Sequence, residues 1–414
     1  MRPTLRQLPL VLALICLLGV PCLIADDGVA IRRADSLPKT TPWNLEELSK
    51  PPAFEWAEGK EIRSLHYKSE PYKSKPTRVF AYYATPGSLS GDPTKDKDLP
   101  AMVLVHGGGG QAFDRWAKLW AQRGYAAIAM DLAGCGPKKA RLPDGGPGQG
   151  HDMKFGTIGL PVTEQWSYHA VANVIRAHSL ILTFPEVDRQ RTAITGISWG
   201  GYLTCIVAGL DNRFKAAVPV YGCGFLHQNS AWLGEFAKMS AENKAQWVRL
   251  WDPSQYVGST SMPIHFVNGG TDFAYPPDSY AKTYDRVRSP KNISFFPSLK
   301  HGHIFDRPKA IEVFIEHHLK KGIPLTRVSS LKVEAGQIMA SVETKTKLVS
   351  AQLHYTLDAL PGNPRKRKWT SQPAALNQNT IVGKLPPDGA VIYFVTVTDE
   401  RRTTVSSALA FPKK

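Results

Sequence analysis

A chain of 414 residues with 43% hydrophobic content is long enough for one large globular domain and a smaller second one. The formal net charge is +16, but the basic residues are mostly scattered and sit on no recognisable nucleic-acid-binding module, which argues against a nucleic-acid target. None of the five cysteines shows the spacing of a metal or redox site.

Taken from the N-terminus, Arg2 and Arg6 precede the apolar run Leu8–Val20, the pattern of an export signal, with cleavage near Ala25. The run is too short for a comfortable membrane span. A lipoprotein signal through Cys22 is the rival reading, and Val20-Pro21 makes a poor lipobox for it. Residues 1–25 are therefore read as a signal peptide, and the mature protein as periplasmic or extracellular, with no membrane span. Loss of the signal would leave Cys135, Cys205 and Cys223, an odd number. They are expected to be buried small hydrophobes, with a Cys205–Cys223 bridge as the alternative. Residues 26–60 form an arm that carries Trp43 and Trp56.

Strands are expected at Ile62–Tyr67, Thr77–Tyr83 and Ala101–Val105, then a helix at Phe113–Gln122 and a strand at Ala126–Asp131. Gly134–Gly159 is a long Gly- and Pro-rich loop, of the kind that is functional or mobile. The helix Glu164–Leu182 spaces Val171, Val174, Ile175, Ile181 and Leu182 as a core face, so His169 within it reads as a buried, hydrogen-bonded histidine rather than a ligand. This alternation predicts an α/β fold over residues 61–324, with a mostly parallel sheet and helices on both faces.

Four short stretches carry chemistry. His106-Gly107-Gly108-Gly109-Gly110 directly follows a strand, and glycines there let the backbone aim amide hydrogens at a substrate oxygen. Gly196-Ile197-Ser198-Trp199-Gly200-Gly201 sits between a short apolar strand and the buried helix Tyr202–Ala208, as a G-x-S-x-G nucleophile elbow must. Ser198 is the predicted nucleophile, and the amide of Trp199 with that of Gly108 or Gly109 the predicted oxyanion donors. The strand Met262–Asn268 runs into Gly269-Gly270-Thr271-Asp272, where a triad acid belongs. After the strand Asn292–Phe296 comes Lys300-His301-Gly302-His303-Ile304-Phe305, and two histidines compete for the base. Gly302-His303-x-Phe305 resembles the G-H-x-F ending of many hydrolases of this fold, which favours His303 and leaves His301 on the loop surface.

Phe225–Val257, within the segment 223–260, falls where a cap over the site would insert. Its Trp232, Phe236, Trp247 and Trp251 could stack on sugar rings, although packing is the commoner use of any one of them. Beyond the helix Pro308–Lys321, short alternating runs separated by turn residues predict an all-β, immunoglobulin-like sandwich over 325–414. Its role is open between a spacer, a partner surface, a polysaccharide contact and a wall of the cleft. Arg365-Lys366-Arg367-Lys368-Trp369 adjoins Pro361-Gly362-Asn363-Pro364 and reads as a turn bearing a solvated charge run.

The stretch from Trp43 to Pro324 resembles the secreted α/β-hydrolases of the acetyl xylan esterase type, close to cephalosporin-C deacetylases and dienelactone-hydrolase-like proteins. The resemblance rests on His106–Gly110 followed by Trp116, on Gly124–Asp131, on Thr195–Tyr202 and on Gly269–Asp272. It implies an α/β-hydrolase fold with Ser198 as nucleophile, Asp272 as orienting acid and His303 as base. It also implies deacetylation of a carbohydrate or small ester without cofactor or metal. The glycine-rich His106–Gly110 departs from that family's common oxyanion loop. Prolyl oligopeptidase-type peptidases share the core and the Ser–Asp–His order, so a peptidase is the second expectation. A non-catalytic binding protein on the same scaffold is the third.

Overall fold

Leu99–Val105 (β4) is a nearly uninterrupted apolar strand, a sequence that is stable only when both faces are covered. In the computed structural model, which describes Leu37 and residues 41–412, this strand lies inside a nine-stranded sheet. The other strands are β1 (Phe54–Trp56), β2 (Arg63–Tyr72), β3 (Lys75–Ala84), β5 (Ala126–Met130), β6 (Val187–Ile197), β7 (Ala216–Val220), β8 (Ile264–Gly269) and β9 (Lys291–Phe296). Their spatial order is β1-β2-β3-β5-β4-β6-β7-β8-β9. Pairing is antiparallel from β1 to β5 and parallel from β5 to β9.

The helices are α1 (Leu45–Ser49), α2 (Pro86–Ser90), α3 (Asp114–Gln122), α4 (Trp166–Ile181), α5 (Trp199–Leu210), α6 (Leu233–Ala237), α7 (Ala241–Trp251), α8 (Pro277–Arg286) and α9 (Ala310–Lys320). α4 packs against α5. Arg123, just past α3, pairs with Glu312 of α9 at 2.9 Å, so the main helices fall into two layers, one on each face of the sheet. This is the predicted α/β arrangement. His169 is buried with Nε2 2.8 Å from the Thr163 carbonyl, as its place on the core helix required. Cys135, Cys205 and Cys223 are free, the last two buried.

The arm belongs to the fold more fully than its composition suggested. Phe54–Trp56 adds a strand to the sheet beside β2. The indole of Trp43 donates to the Tyr168 carbonyl at 2.9 Å and packs on Tyr168, Trp251 and Tyr256. The apolar run at residues 8–20 and the proposed cleavage site lie outside the described residues. No helix among the described residues is long and apolar enough to cross a membrane.

The C-terminal strands are β10 (Arg327–Val328), β11 (Lys332–Glu334), β12 (Gln337–Glu343), β13 (Leu348–Thr356), β14 (Thr370–Asn377), β15 (Thr380–Lys384), β16 (Ile392–Asp399) and β17 (Thr404–Ser406), all antiparallel. β14 pairs with β13 through its first half and with β15 through its second, so one strand serves both layers of the sandwich. Ile338, Ala340, Val342, Leu353, Ile381, Phe394 and Val395 fill its interior.

This β domain covers β9, which would otherwise be an open sheet edge. Ser294 donates to the Thr404 carbonyl at 2.7 Å, and the Phe295 amide donates to the Ser406 hydroxyl at 3.0 Å. Arg401 donates to the carbonyls of Ile323 and Pro324, at 2.9 Å each. The ring of Phe295 meets Phe394 and Trp369. Arg367 is buried in the same contact, so the run Arg365–Trp369 is only in part a solvated turn.

Candidate active site

β6 and α5 meet at Ser198, which takes φ 61° and ψ −119°, a backbone state that ordinary residues avoid. The surroundings hold it there. The Ser198 amide donates to the Val220 carbonyl at 2.9 Å, and the Ser198 carbonyl accepts from the Tyr202 amide at 2.9 Å. Gly196 and Gly200 permit this turn, because a Cβ on Gly200 would run into the Val105 carbonyl and one on Gly196 into the Gly200 carbonyl. The half-buried serine hydroxyl is therefore presented at the N-terminus of α5, beside the amide of Trp199.

Because β4 and β6 are parallel neighbours, the glycine run after Val105 arrives next to the elbow. A Cβ on Gly107 would lie 2.9 Å from the Ser198 Cβ, and one on Gly108 would lie 2.6 Å from Cδ1 of Trp199. Gly109 has φ 64°, and its carbonyl accepts from Lys139 Nζ at 2.6 Å. His106 holds the loop from below. Its Nδ1 is 2.8 Å from the Gly107 carbonyl, and its Nε2 accepts from the Leu132 amide at 2.9 Å. Burial lowers its pKa to about 4, so the ring is neutral. Asp131 lies 3.8 Å from that ring with its own pKa raised by burial to about 6, which makes this a packed polar pair and not an ion pair.

Asp272 is fully buried just past β8. Its Oδ1 accepts from the amides of Ala274 and Tyr275, at 2.7 and 2.9 Å. Its Oδ2 is 2.7 Å from Nδ1 of His301. The expectation that His303 meets this carboxylate is corrected by the geometry. His301 packs on Tyr221 (4.5 Å between ring centroids) and Phe273 (4.9 Å), in line with Asp272. His303, two residues on, is the central residue of a turn closed by the Ile304 amide and the Gly302 carbonyl, and its ring packs against Phe113 and Phe305. The G-H-x-F likeness had pointed two residues too far along the loop.

Three side chains near Ser198 had no assigned place in the site from sequence, although Trp232 was noted as a cap aromatic and Lys154 lies in the long Gly-rich loop. The Tyr275 hydroxyl is fully buried, and Ser198 is the side chain within its hydrogen-bonding reach. Burial pushes its pKa well above 10, so it keeps its proton. Trp232 bridges the ring of Trp199 (4.6 Å) and that of Tyr275 (5.2 Å). Lys154, from the long Gly-rich loop, is buried with Nζ over the rings of Trp166 (5.0 Å) and Trp199 (4.8 Å), and burial brings its pKa down to about 7. That loop is anchored by Phe155, which stacks on Trp247 at 5.4 Å. Trp232, Phe236, Trp247 and Trp251 are all buried, so packing is their use here.

The sheet order, the elbow and the acid loop after β8 define an α/β-hydrolase. More narrowly, the chain belongs to the acetyl xylan esterase family (AXE1), which residues 58–310 match. It is 20% identical over 222 residues to "Acetyl esterase Axe7A" of Xylanibacter ruminicola, across 50% of this chain and 51% of that protein. The chain thus spans about half the length of that curated relative. Among solved structures it is similar to the acetyl xylan esterase from Paenibacillus sp. R4, with TM-score 0.54 and 24% identity over 66% of this chain and 92% of the other. Acetyl xylan esterase 1 from Thermoanaerobacterium sp. JW/SL YS485 is similar with TM-score 0.52 and 18% identity, over 64% and 88%. At those identities the likeness speaks for the fold.

Proposed function

We propose that the protein is an exported serine ester hydrolase that removes acetyl groups from a carbohydrate or related ester through an acyl-enzyme. The observation that carries this reading is the 2.7 Å contact of His301 with Asp272 on the loops that face the strained Ser198 elbow. Membership of the acetyl xylan esterase family supports the acetyl ester as substrate class. Export rests on Arg2, Arg6 and the apolar Leu8–Val20 run.

In this mechanism His301 accepts the Ser198 proton through Nε2 while Asp272 holds its Nδ1–H and steadies the imidazolium. The Ser198 Oγ adds to the acetyl carbonyl carbon, and the negative charge moves to the carbonyl oxygen. The amides of Trp199 and of Gly108 or Gly109 are suited to bind that oxygen. The sugar alkoxide leaves with the proton from His301, and water then enters by the same route in reverse to release acetate. The Tyr275 phenol is a donor held beside the Ser198 hydroxyl. The rings of Trp199, Trp232 and Tyr275 leave an apolar wall suited to a small acyl group.

Side-by-side assay of acetyl esters and aminoacyl anilides tests the proposal. Turnover of the acetyl esters alone is expected; faster cleavage of the anilides would favour the peptidase reading instead.

A further inference from the structure

Between the acid loop and the β domain lies a cavity of about 350 Å³. Thr271, next to Asp272 in sequence, and Ser298 line it from one side, and His354, Arg367, Trp369 and Ser371 from the other. Arg367 is the only cation of that lining. It is 5% exposed, and its Nε and Nη1 have no acceptor among the described residues. The nearest acids are engaged elsewhere: Asp278 accepts from Asn229 Nδ2, and Asp358 from the Lys368 amide. Both act on Arg367 through space, yet neither accepts a hydrogen bond from its Nε or Nη1. The indole N–H of Trp369 is buried and unpartnered as well. A buried guanidinium whose N–H groups lack an acceptor is costly, so an arrangement of this kind is best accounted for by a ligand that supplies the missing acceptor.

The lining also sets the charge and character of that ligand. His354 is held between the hydroxyls of Ser371 (2.7 Å) and Thr396 (2.8 Å), and burial lowers its pKa to about 4, so it adds no charge at neutral pH. One cation is therefore matched by one negative charge, which a carboxylate supplies and a phosphate dianion exceeds. The remaining lining is three hydroxyls (Thr271, Ser298 and Ser371), the Gln352 amide, the Trp369 indole N–H and Pro297, suited to a hydroxylated molecule, and the volume suits one of monosaccharide size. We propose that this cavity is a binding site for a carboxylated sugar, a hexuronate, held by Arg367 and Trp369 outside the Ser198 cleft. The Arg365–Trp369 loop of the β domain thereby becomes a recognition element, placed against the loop that carries the catalytic acid.

The test is calorimetric titration of the full chain with D-glucuronate, D-glucose and glucose 6-phosphate at low salt. Binding is read directly, so the result does not depend on whether Ser198 hydrolyses an ester. Saturable glucuronate binding is expected, with glucose and Arg367→Gln each weaker by about tenfold or more, since a charge-assisted hydrogen bond is lost in both. Trp369→Phe should weaken it less. Absence of glucuronate binding, equal binding of glucose, tighter binding of glucose 6-phosphate, or an unchanged Arg367→Gln variant would each overturn the proposal. If the Gln variant does not fold, the three-ligand comparison on the unaltered chain decides alone.

Discussion

The two sides of the cleft are built differently. The Ser198 side is local: a strand, a tight turn and a helix in one stretch of chain, with the glycine loop of the adjacent strand pressed against it. The His301 side is assembled from distant parts. Asp272 leaves β8, His301 arrives from the loop after β9, and the β domain backs both, with Trp369 lodged against Gly270 and Arg365 4.4 Å over the ring of Phe273. Turn geometry dictates the first side almost residue by residue, whereas the second depends on how loops pack. The first should therefore tolerate almost no change at single positions, and the second should respond in steps.

The largest effect tests whether the two sides work as one unit. Ser198→Ala and His301→Ala should each lower turnover of an acetyl aryl ester by about 10⁴-fold or more, with the thermal midpoint little changed. His303→Ala should cost far less, because its ring meets Phe113 and Phe305 and not Asp272. Kinetics of the three purified variants check this. A larger loss at His303 than at His301 would transfer the base and undo the geometric assignment.

Next in size is Tyr275→Phe, which removes one hydroxyl and leaves the ring against Trp232. A loss on the order of 10²-fold in kcat is expected, the cost of one preorganised donor, with KM changed less. A rise in KM alone, or no change in either constant, would make Tyr275 a packing residue. The acyl chain comes third. Trp199, Trp232 and Tyr275 close the wall between the two sides, so butyryl and octanoyl esters should react more slowly than acetyl, as overfilling a packed pocket costs ~1–3 kcal/mol. Specificity constants over one leaving group measure this, and a rise toward octanoyl would open the wall.

The same contrast explains what could be read from the chain. Ser198, the His106–Gly110 loop and the Asp272 loop follow from strands bounded by glycines, signals that span a few residues. The α/β alternation and the β domain were legible for the same reason, since each rests on local periodicity. The partner of Asp272, our proposed base, was not: His301 and His303 share one loop, and only the packing of Tyr221 and Phe273 decides which ring meets Asp272. Tyr275 looks like any aromatic after an acid, and Arg367 like any member of a basic run. The roles proposed for them rest on burial and on what each meets in the folded chain, which no local pattern carries. The first strand, Phe54–Trp56, was hidden because all three of its residues are exposed and it carries no burial pattern.

The last prediction concerns stability rather than rate, and it falls on both sides. His106 behind the glycine loop and His354 in the β domain are buried neutral, each with its pKa lowered to about 4, and His265 in β8 is lowered to about 3. For each, the unfolded chain takes up a proton near pH 6.5 while the folded chain does not. Their contribution is therefore present above about pH 6.5 and is lost as pH falls toward 4, with unfolding favoured by about 3 kcal/mol for a group shifted that far. His265 is the cleanest probe, since neither ring nitrogen has a partner among the described residues and its ring lies against Phe314. His265→Leu removes both the titration and two unpaired polar atoms. Its thermal midpoint should exceed that of the unaltered protein at pH 5 by more than it does at pH 8. An equal difference at the two pH values would mean that His265 is solvated or paired in solution and that the acid limb arises elsewhere.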